Sequence, residues 1–194
     1  MTPEALLGGF IDAPVQSAHA FRAGLEALAR PGTLHSLTGA TPPAPMSVAA
    51  GVLILTLCDG TTPVHLAGHH DSDAIRDWVT FHVGAPLVTA EKAMFAIGTW
   101  AAMQPVGRFA IGQPDYPDRS ATLIVEMPTL APSGPHLSGP RLSGPGIKGE
   151  ARLALPETAA FVRNRALFPL GFDCFFTAGS LVAGLPRSTN VEAN

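Results

Sequence analysis

The run Ala121-Thr122-Leu123-Ile124-Val125 is the segment that most narrows the folds open to this chain. It has strand-forming residues, and beyond Thr122 it lacks the polar alternation of a strand with one wet face. We therefore expect an internal strand over residues 121–127 that other parts of the chain cover on both faces. Helical and extended segments alternate along the whole sequence, which predicts one domain over residues 1–194 with a mixed-sheet α/β sandwich fold.

Four helices are predicted from apolar spacing, capping residues and helix breakers. The first carries Phe21, Leu25 and Leu28 at helical spacing and ends at Pro31-Gly32. The second is apolar almost all round, which favours a buried helix. Their ranges are 17–30, 46–57, about 72–82 and 156–167.

The remaining strands are predicted at residues 33–37, 62–66 and 94–99, with a closing hairpin of 172–177 and 181–185 around Ala178-Gly179. Residues 41–45 form a proline-rich connector. Two segments are rich in glycine and proline, 107–119 and 137–149, and we expect a loop in the first and a doubled turn in the second.

Composition bears on partners and location. The chain is 46% hydrophobic and only 14% charged, which favours burial against other subunits, although a generous core would have the same effect. A net charge of −3 with dispersed basic residues argues against nucleic-acid binding. The most apolar stretch, 48–58, is shorter than the roughly 20 residues of a membrane span, so we expect a cytoplasmic protein with no membrane segment. Cys58 and Cys174 form no CxxC pair and are expected to be buried, reduced thiols.

A histidine-rich segment is the first candidate site. His65, His69, His70 and Asp73 are residue types that bind zinc, manganese or iron, and they would support a metal-dependent hydrolase. Adjacent side chains such as His69 and His70 point in different directions in most backbone conformations. A polar loop that leads into the third helix is therefore the favoured interpretation, with Ser72 or Asp71 as the cap.

Two segments carry cations that could meet an anion. Arg141 and Lys148 lie in the 137–149 segment, but this segment lacks the GxxxxGK[ST] spacing and its prolines remove amide donors. Arg187, Ser188 and Thr189 follow the last predicted strand and could bind a carboxylate or phosphate. Alternatively, Arg187 anchors the tail on its own domain or on a partner, and the sequence leaves both interpretations open.

Several blocks, in this order, resemble the PhnH family. These are Pro14-Val15, Phe21-Arg22, Ala29-Arg30-Pro31-Gly32, Leu142-Ser143-Gly144-Pro145-Gly146-Ile147, Phe168-Pro169-Leu170-Gly171-Phe172-Asp173 and Leu185-Pro186-Arg187-Ser188-Thr189-Asn190-Val191-Glu192. The resemblance spans nearly the whole chain. One departure is that Ser188 stands where the family's LPRTT motif has its first threonine.

The resemblance implies an accessory subunit of the bacterial carbon–phosphorus lyase core complex. That complex makes α-D-ribose 1-methylphosphonate 5-triphosphate from ATP and a phosphonate, and a separate iron–sulfur subunit then breaks the carbon–phosphorus bond. The resemblance also implies a homodimer, PhnG-, PhnI-, PhnJ- and PhnL-like partners, and a reduced pyridoxal-phosphate-dependent transferase fold without a cofactor. Neither Lys92 nor Lys148 is placed like a Schiff-base lysine.

On this interpretation the chain does not catalyse the reaction alone, and its binding or interface candidates are Arg187, Ser188, Thr189, Arg141 and Lys148. The competing interpretation is a self-sufficient enzyme. It would be either the metal-dependent hydrolase described above or a phosphate-ester enzyme that uses the arginines and Lys148.

Overall fold

The computed structural model describes residues 6–130 and 139–192. In this part of the chain the helices are α1 (Ala13–Ala29), α2 (Val48–Leu57), α3 (Asp73–His82) and α4 (Thr158–Ala166). The strands are β1 (His35–Ser36), β2 (Val64–Leu66), β3 (Phe95–Thr99), β4 (Ile111–Gln113), β5 (Tyr116–Ser120), β6 (Thr122–Glu126), β7 (Arg141–Ser143), β8 (Ala151–Arg152), β9 (Asp173–Ala178), β10 (Leu181–Leu185) and β11 (Asn190–Glu192).

A six-stranded mixed sheet forms the centre of the fold, in the order β1-β10-β9-β6-β3-β2. Neighbouring strands are parallel from β9 through β6 and β3 to β2, while β10 is antiparallel to both β9 and β1. Ile124 of β6 lies beside Ile97 of β3 on one side and Phe175 of β9 on the other. The predicted internal strand and the predicted mixed α/β class are therefore confirmed.

Both faces of the sheet are buried, which explains the missing polar alternation of β6. Ile124 packs with α1, α2 and α3 in one hydrophobic cluster. Leu123 and Val125 point to the opposite face, where they pack with α4 and with a small three-stranded sheet of order β11-β7-β8. Because side chains of a strand alternate between faces, an apolar residue is needed at each of these positions.

Capping side chains set where the helices begin. The Ser47 hydroxyl accepts from the Ala50 amide at 3.2 Å at the start of α2, and Ser72 accepts from the Ile75 amide at 3.4 Å at the start of α3. In α2 the residues from Ala49 to Ile54 are all buried, as its uniformly apolar sequence predicts. The four predicted helices are confirmed, although α1 begins earlier than predicted because Asp12 caps it.

Two predicted loops were partly wrong. The 107–119 segment contains β4 and most of β5, which pair as an antiparallel hairpin with Gly112 at φ +85°. The 137–149 segment contains β7, which pairs with β11 and β8. These short strands have no apolar alternation, and distant partners create them, so local sequence signals do not reveal them. Residues 137 and 138 lie outside the described part of the chain.

Within residues 6–130 and 139–192, no helix is long and apolar enough to cross a membrane.

Candidate functional site

Arg187 lies just beyond β10, and its side chain is mostly buried, with 13% of it exposed. Its guanidinium forms a fork with the carboxylate of Asp173, the first residue of β9. Nε donates to Oδ1 at 3.1 Å, and a terminal nitrogen donates to Oδ2 at 2.6 Å. The Arg187 amide adds a third bond to Oδ1 at 2.8 Å. This two-pronged geometry is the strongest pairing that arginine makes with a carboxylate.

The same guanidinium also reaches β5. One terminal nitrogen donates to the carbonyl oxygen of Pro117 at 2.7 Å, and the other donates to the hydroxyl of Ser120. Together with the fork to Asp173, these bonds occupy four of the five N–H groups that an arginine side chain carries. The side chain thus joins three segments that are far apart in the sequence: β5, β9 and the connection from β10 to β11.

Ser188 and Thr189 form the turn that follows. The Thr189 amide donates to the carbonyl oxygen of Pro186 at 2.9 Å. Thr189 is 2% exposed, and its hydroxyl has no hydrogen-bond partner in the described part of the chain. Ser188 is half-buried. Next to the turn, Asn190 accepts a bond from Nε of Arg165 at 2.9 Å.

The structure brings together three of the sequence blocks that carry the family resemblance. Val191 pairs with Leu142, so the terminal block and the interior glycine-rich block form one small sheet. Gly146 then turns against the end of α1 at φ +80°, where an added Cβ would overlap the carbonyl oxygen of Ala29. Only glycine fits this approach, and it places the end of α1 beside the other two blocks.

Arg141 and Lys148 lie in different surroundings from Arg187. Arg141 is 47% exposed on β7, pairs with Glu150 at 3.0 Å, and lies 3.9 Å from the Glu192 carboxylate. Lys148 is exposed in the turn that follows β7. No contact between described residues joins either cation to Arg187, so the candidates divide between two places. Their role in binding a ligand or a partner stays a prediction.

The histidines also separate. His65 on β2 donates from Nδ1 to the carbonyl oxygen of Val88 at 3.0 Å, His69 is exposed, and His70 is 2% exposed. Asp73 is in the first turn of α3. Among the residues that the structure describes, no three histidine, cysteine, aspartate or glutamate side chains are arranged to bind one metal ion.

An open pocket of about 470 Å³ lies beside His65 at the edge of the main sheet. Its charged lining comes from Arg76, Lys92 and Asp71. Asp71 accepts a bond from Arg76 at 2.8 Å and so neutralises that guanidinium. This pairing reduces the attraction of the pocket for a small anion.

A buried polar cluster lies at the carboxyl ends of β6 and β9. Glu126 accepts bonds from the Ser47 amide at 2.7 Å and from the Thr177 hydroxyl at 3.1 Å. The ring of His70 comes within 3.8 Å of the same carboxylate, whose side chain is 10% exposed. The Ser47 amide is at the amino end of α2, where the helix dipole favours a negative charge. The bond from the Ser47 amide to Glu126 therefore holds the start of α2 against the sheet.

Sequence reasoning missed Asp173, Ser120 and Glu126. Asp173 ends one of the family-like blocks, and it is a single acid between apolar residues, which was an available signal. Ser120 directly precedes the predicted strand of residues 121–127, and Glu126 lies within it. The partner of Ser120, Arg187, is 67 residues away in the sequence, and the partner of Glu126, Ser47, is 79 residues away. Nothing local in the sequence indicates those pairings.

Two comparisons with known proteins each match nearly the whole chain. The model of the family described as "Bacterial phosphonate metabolism protein (PhnH)" matches residues 8–192. A protein of Rhizobium meliloti (strain 1021), named "Alpha-D-ribose 1-methylphosphonate 5-triphosphate synthase subunit PhnH", is 38% identical over 192 residues. That alignment covers 95% of this chain and 94% of the relative.

Proposed function

This chain belongs to the PhnH family, and on that premise we propose that it is a subunit of an α-D-ribose 1-methylphosphonate 5-triphosphate synthase in phosphonate metabolism. The observation that carries the proposal is the match over residues 8–192, since it includes every helix and strand described above. The Rhizobium meliloti relative is named as a subunit of that synthase and aligns over nearly its full length.

We propose that the subunit supports a reaction site built mainly by its partners. The environment of its arginines favours this role, because Arg187 is held by Asp173 and two groups of β5, and Arg141 is paired with Glu150. A guanidinium stays protonated in proteins, so paired arginines of this kind position a surface and do not transfer protons. Ser188, Thr189 and Lys148 lie on or near the same small sheet and complete the set that we assign to ligand or partner contact.

The assembly that we propose is a cytoplasmic homodimer in complex with PhnG-, PhnI-, PhnJ- and PhnL-like subunits. We also infer a fold related to the pyridoxal-phosphate-dependent transferases that works without the cofactor. A Schiff-base lysine must lie in a desolvated site. Lys92 and Lys148 are the two lysines of the sequence, and both are exposed, which supports a role without that chemistry.

Growth on a phosphonate tests this function. A strain of Rhizobium meliloti that lacks its own PhnH gene should fail to use methylphosphonate as its phosphorus source, and this chain should restore growth. Growth on inorganic phosphate is the control, since it bypasses the synthase. Failure to restore growth, with the protein present and folded in the cells, would contradict the proposal.

A further inference from the structure

Charges of both signs line the open pocket of about 470 Å³ beside His65, and none of them has a role in the function proposed above. Arg76 and Lys92 are the cations, and Asp71 is the anion. They come from α3, from the short helical turn Ala90–Lys92 and from the turn before α3. A cavity of roughly 300–1,000 Å³ that sets a few polar groups on an apolar wall is typical of a small-molecule site.

The apolar wall of this pocket is part of the main sheet. Leu66, Leu87 and Val88 form the wall. Residues 86–88 lie along the outer edge of β2, where the Val64 amide donates to the carbonyl oxygen of Pro86 at 2.8 Å and the Val88 amide donates to that of Val64 at 2.9 Å. These backbone bonds fix the wall to the sheet, so the pocket has a defined shape.

Arg76 and Asp71 form a two-pronged ion pair in the lining. Nε of Arg76 lies 2.5 Å from Oδ1 of Asp71, and a terminal nitrogen donates to Oδ2 at 2.8 Å. The arginine side chain is 48% exposed and the aspartate side chain 37% exposed. The pair uses two of the five N–H groups of the guanidinium, and each carboxylate oxygen keeps an acceptor position. Both residues can therefore bind a ligand without giving up their bond to each other.

Lys92 carries the unpaired charge of the lining. It is exposed, and within residues 6–130 and 139–192 no ion pair or hydrogen bond joins its ammonium group to another residue. An ammonium group presents three donors on a compact charge. A phosphonate group has three oxygens and so offers these donors more acceptor positions than a carboxylate does.

His65 adds a hydrogen-bond acceptor to the pocket. Its Nδ1 lies 3.0 Å from the carbonyl oxygen of Val88, and a carbonyl oxygen can only accept, so Nδ1 carries the hydrogen. In the neutral ring Nε2 is then the acceptor. Among the residues that the structure describes, none donates to Nε2. An amine in the pocket thus finds an acceptor at His65 as well as at Asp71.

We propose that this pocket binds an aminoalkylphosphonate, with the ammonium group at Asp71 and His65 and the phosphonate group at Lys92. The remaining N–H groups of Arg76 add donors for the phosphonate, and the alkyl chain lies against the wall that includes Leu87. A phosphonate without an amine would leave the Asp71 carboxylate facing an anion, and an amine without a phosphonate would face the ammonium of Lys92. The proposal rests on the proposed function, since phosphonate metabolism supplies this class of ligand, and it adds selection for an amine.

An NMR titration of the ¹⁵N-labelled full chain measures both the affinity and the location of binding. The ligands are 2-aminoethylphosphonate, ethylphosphonate, which lacks the amine, and β-alanine, which has a carboxylate in place of the phosphonate. We expect 2-aminoethylphosphonate to shift the amide signals of residues 65–66, 87–89 and 92. It should bind about five-fold more tightly than either of the others, which is the upper end for one exposed ion pair. The titration is done at low ionic strength, because salt screens exposed charges.

Two variants test the two ends of the ligand separately. Asp71→Asn should remove the preference for the amine, so that 2-aminoethylphosphonate and ethylphosphonate bind equally. Lys92→Gln should weaken the binding of both phosphonates about five-fold. The matched controls are Asp115→Asn and Arg22→Gln, because both side chains are exposed and lie outside the pocket, and these variants should bind as the wild type does. Circular dichroism checks that all four variants are folded.

The proposal is overturned if 2-aminoethylphosphonate shifts no signal at the pocket, or if ethylphosphonate binds equally well. Equal or tighter binding of β-alanine also overturns it and assigns the pocket to amino acids. A chain that does not bind 2-aminoethylphosphonate yet restores growth on methylphosphonate leaves the proposed function standing without this site. A chain that binds it in the pocket yet restores no growth contradicts the proposed function and leaves the site intact.

Discussion

Replacing Arg187 with alanine should destabilise the folded chain by about 3 kcal/mol. A hydrogen bond to a charged group contributes roughly 1.5–3 kcal/mol and a neutral one about 1 kcal/mol, but bonds from one side chain are not additive. Alanine removes the fork to Asp173 and the bonds to Pro117 and Ser120. The Arg187→Ala variant keeps the amide bond to Asp173, which is also 24% exposed and can bind water, so the loss stays below the sum.

Urea unfolding followed by circular dichroism measures this loss. For a chain of this length, ~3 kcal/mol corresponds to a fall of roughly 6–12 °C in Tm. Arg141→Ala is the matched control, because that arginine is 47% exposed and its pair with Glu150 should contribute at most about 1 kcal/mol. A double-mutant cycle with Asp173→Asn isolates the coupling within the fork.

An Arg187→Ala variant that loses no more stability than Arg141→Ala would refute this reasoning. If that variant keeps its stability and yet loses binding of phosphonate or ATP in the assembled complex, Arg187 acts on a ligand. If it keeps its stability and the complex does not assemble, Arg187 acts on a partner.

Three further changes have defined outcomes. Glu126→Gln should lower the free energy of unfolding by about 1–3 kcal/mol in the same urea experiment, because the amide cannot accept from both of its present donors; an unchanged midpoint would contradict this. Gly146→Ala should be far more destabilising than Gly149→Ala in thermal unfolding. Both glycines have positive φ, but only at Gly146 would a Cβ meet the backbone of α1. Equal losses of stability would exclude this steric cause. Burial raises the pKa of Cys58 from 9.0 to about 12. As the pH rises between these values, the unfolded chain loses the thiol proton first, so this thiol should lower the stability of the fold by at most about 1.4 kcal/mol per pH unit. Cys58→Ala should make the measured slope of stability against pH shallower, and an unaltered slope would assign it to other groups.

The parts of the fold that the sequence predicts are those with local causes. The uniformly apolar run from Ala49 to Ile54 requires a buried helix, and Ser72 marks the beginning of α3. The cap of α2, Ser47, was not predicted, and the helix begins at Val48 instead of residue 46. The run around Ile124 requires a strand covered on both faces, which is what β6 is. These signals come from residues close by in the sequence, so they can be recognised without knowing which distant residues pack against the segment.

The parts of the fold that the sequence does not predict depend on contacts between residues far apart in the chain. Leu142 becomes part of a strand because Val191 lies beside it, and nothing in the residues near Leu142 indicates that pairing. The fork between Arg187 and Asp173 depends on how β9 and β10 close their hairpin. Hydrophobic spacing located α1 correctly but could not show which face is buried, because the small residues Ala20 and Gly24 lie inward.

The histidine segment is a case in which a local rule predicts the outcome. His69 and His70 are adjacent, but the short helical turn of Gly68–His70 directs one to solvent and the other toward Glu126. The sequence favours a polar loop over a shared metal site because adjacent side chains diverge, and the backbone conformation does separate these two. The chemistry of such a segment depends on the turn that carries it.

The central claim is that this chain is a subunit of the synthase. Affinity purification of the tagged chain from phosphate-starved cells of its source, followed by mass spectrometry, tests it most directly. We predict stoichiometric recovery of PhnG-, PhnI- and PhnJ-like chains. Recovery of the tagged chain alone, from cells in which those proteins are present, would contradict the account.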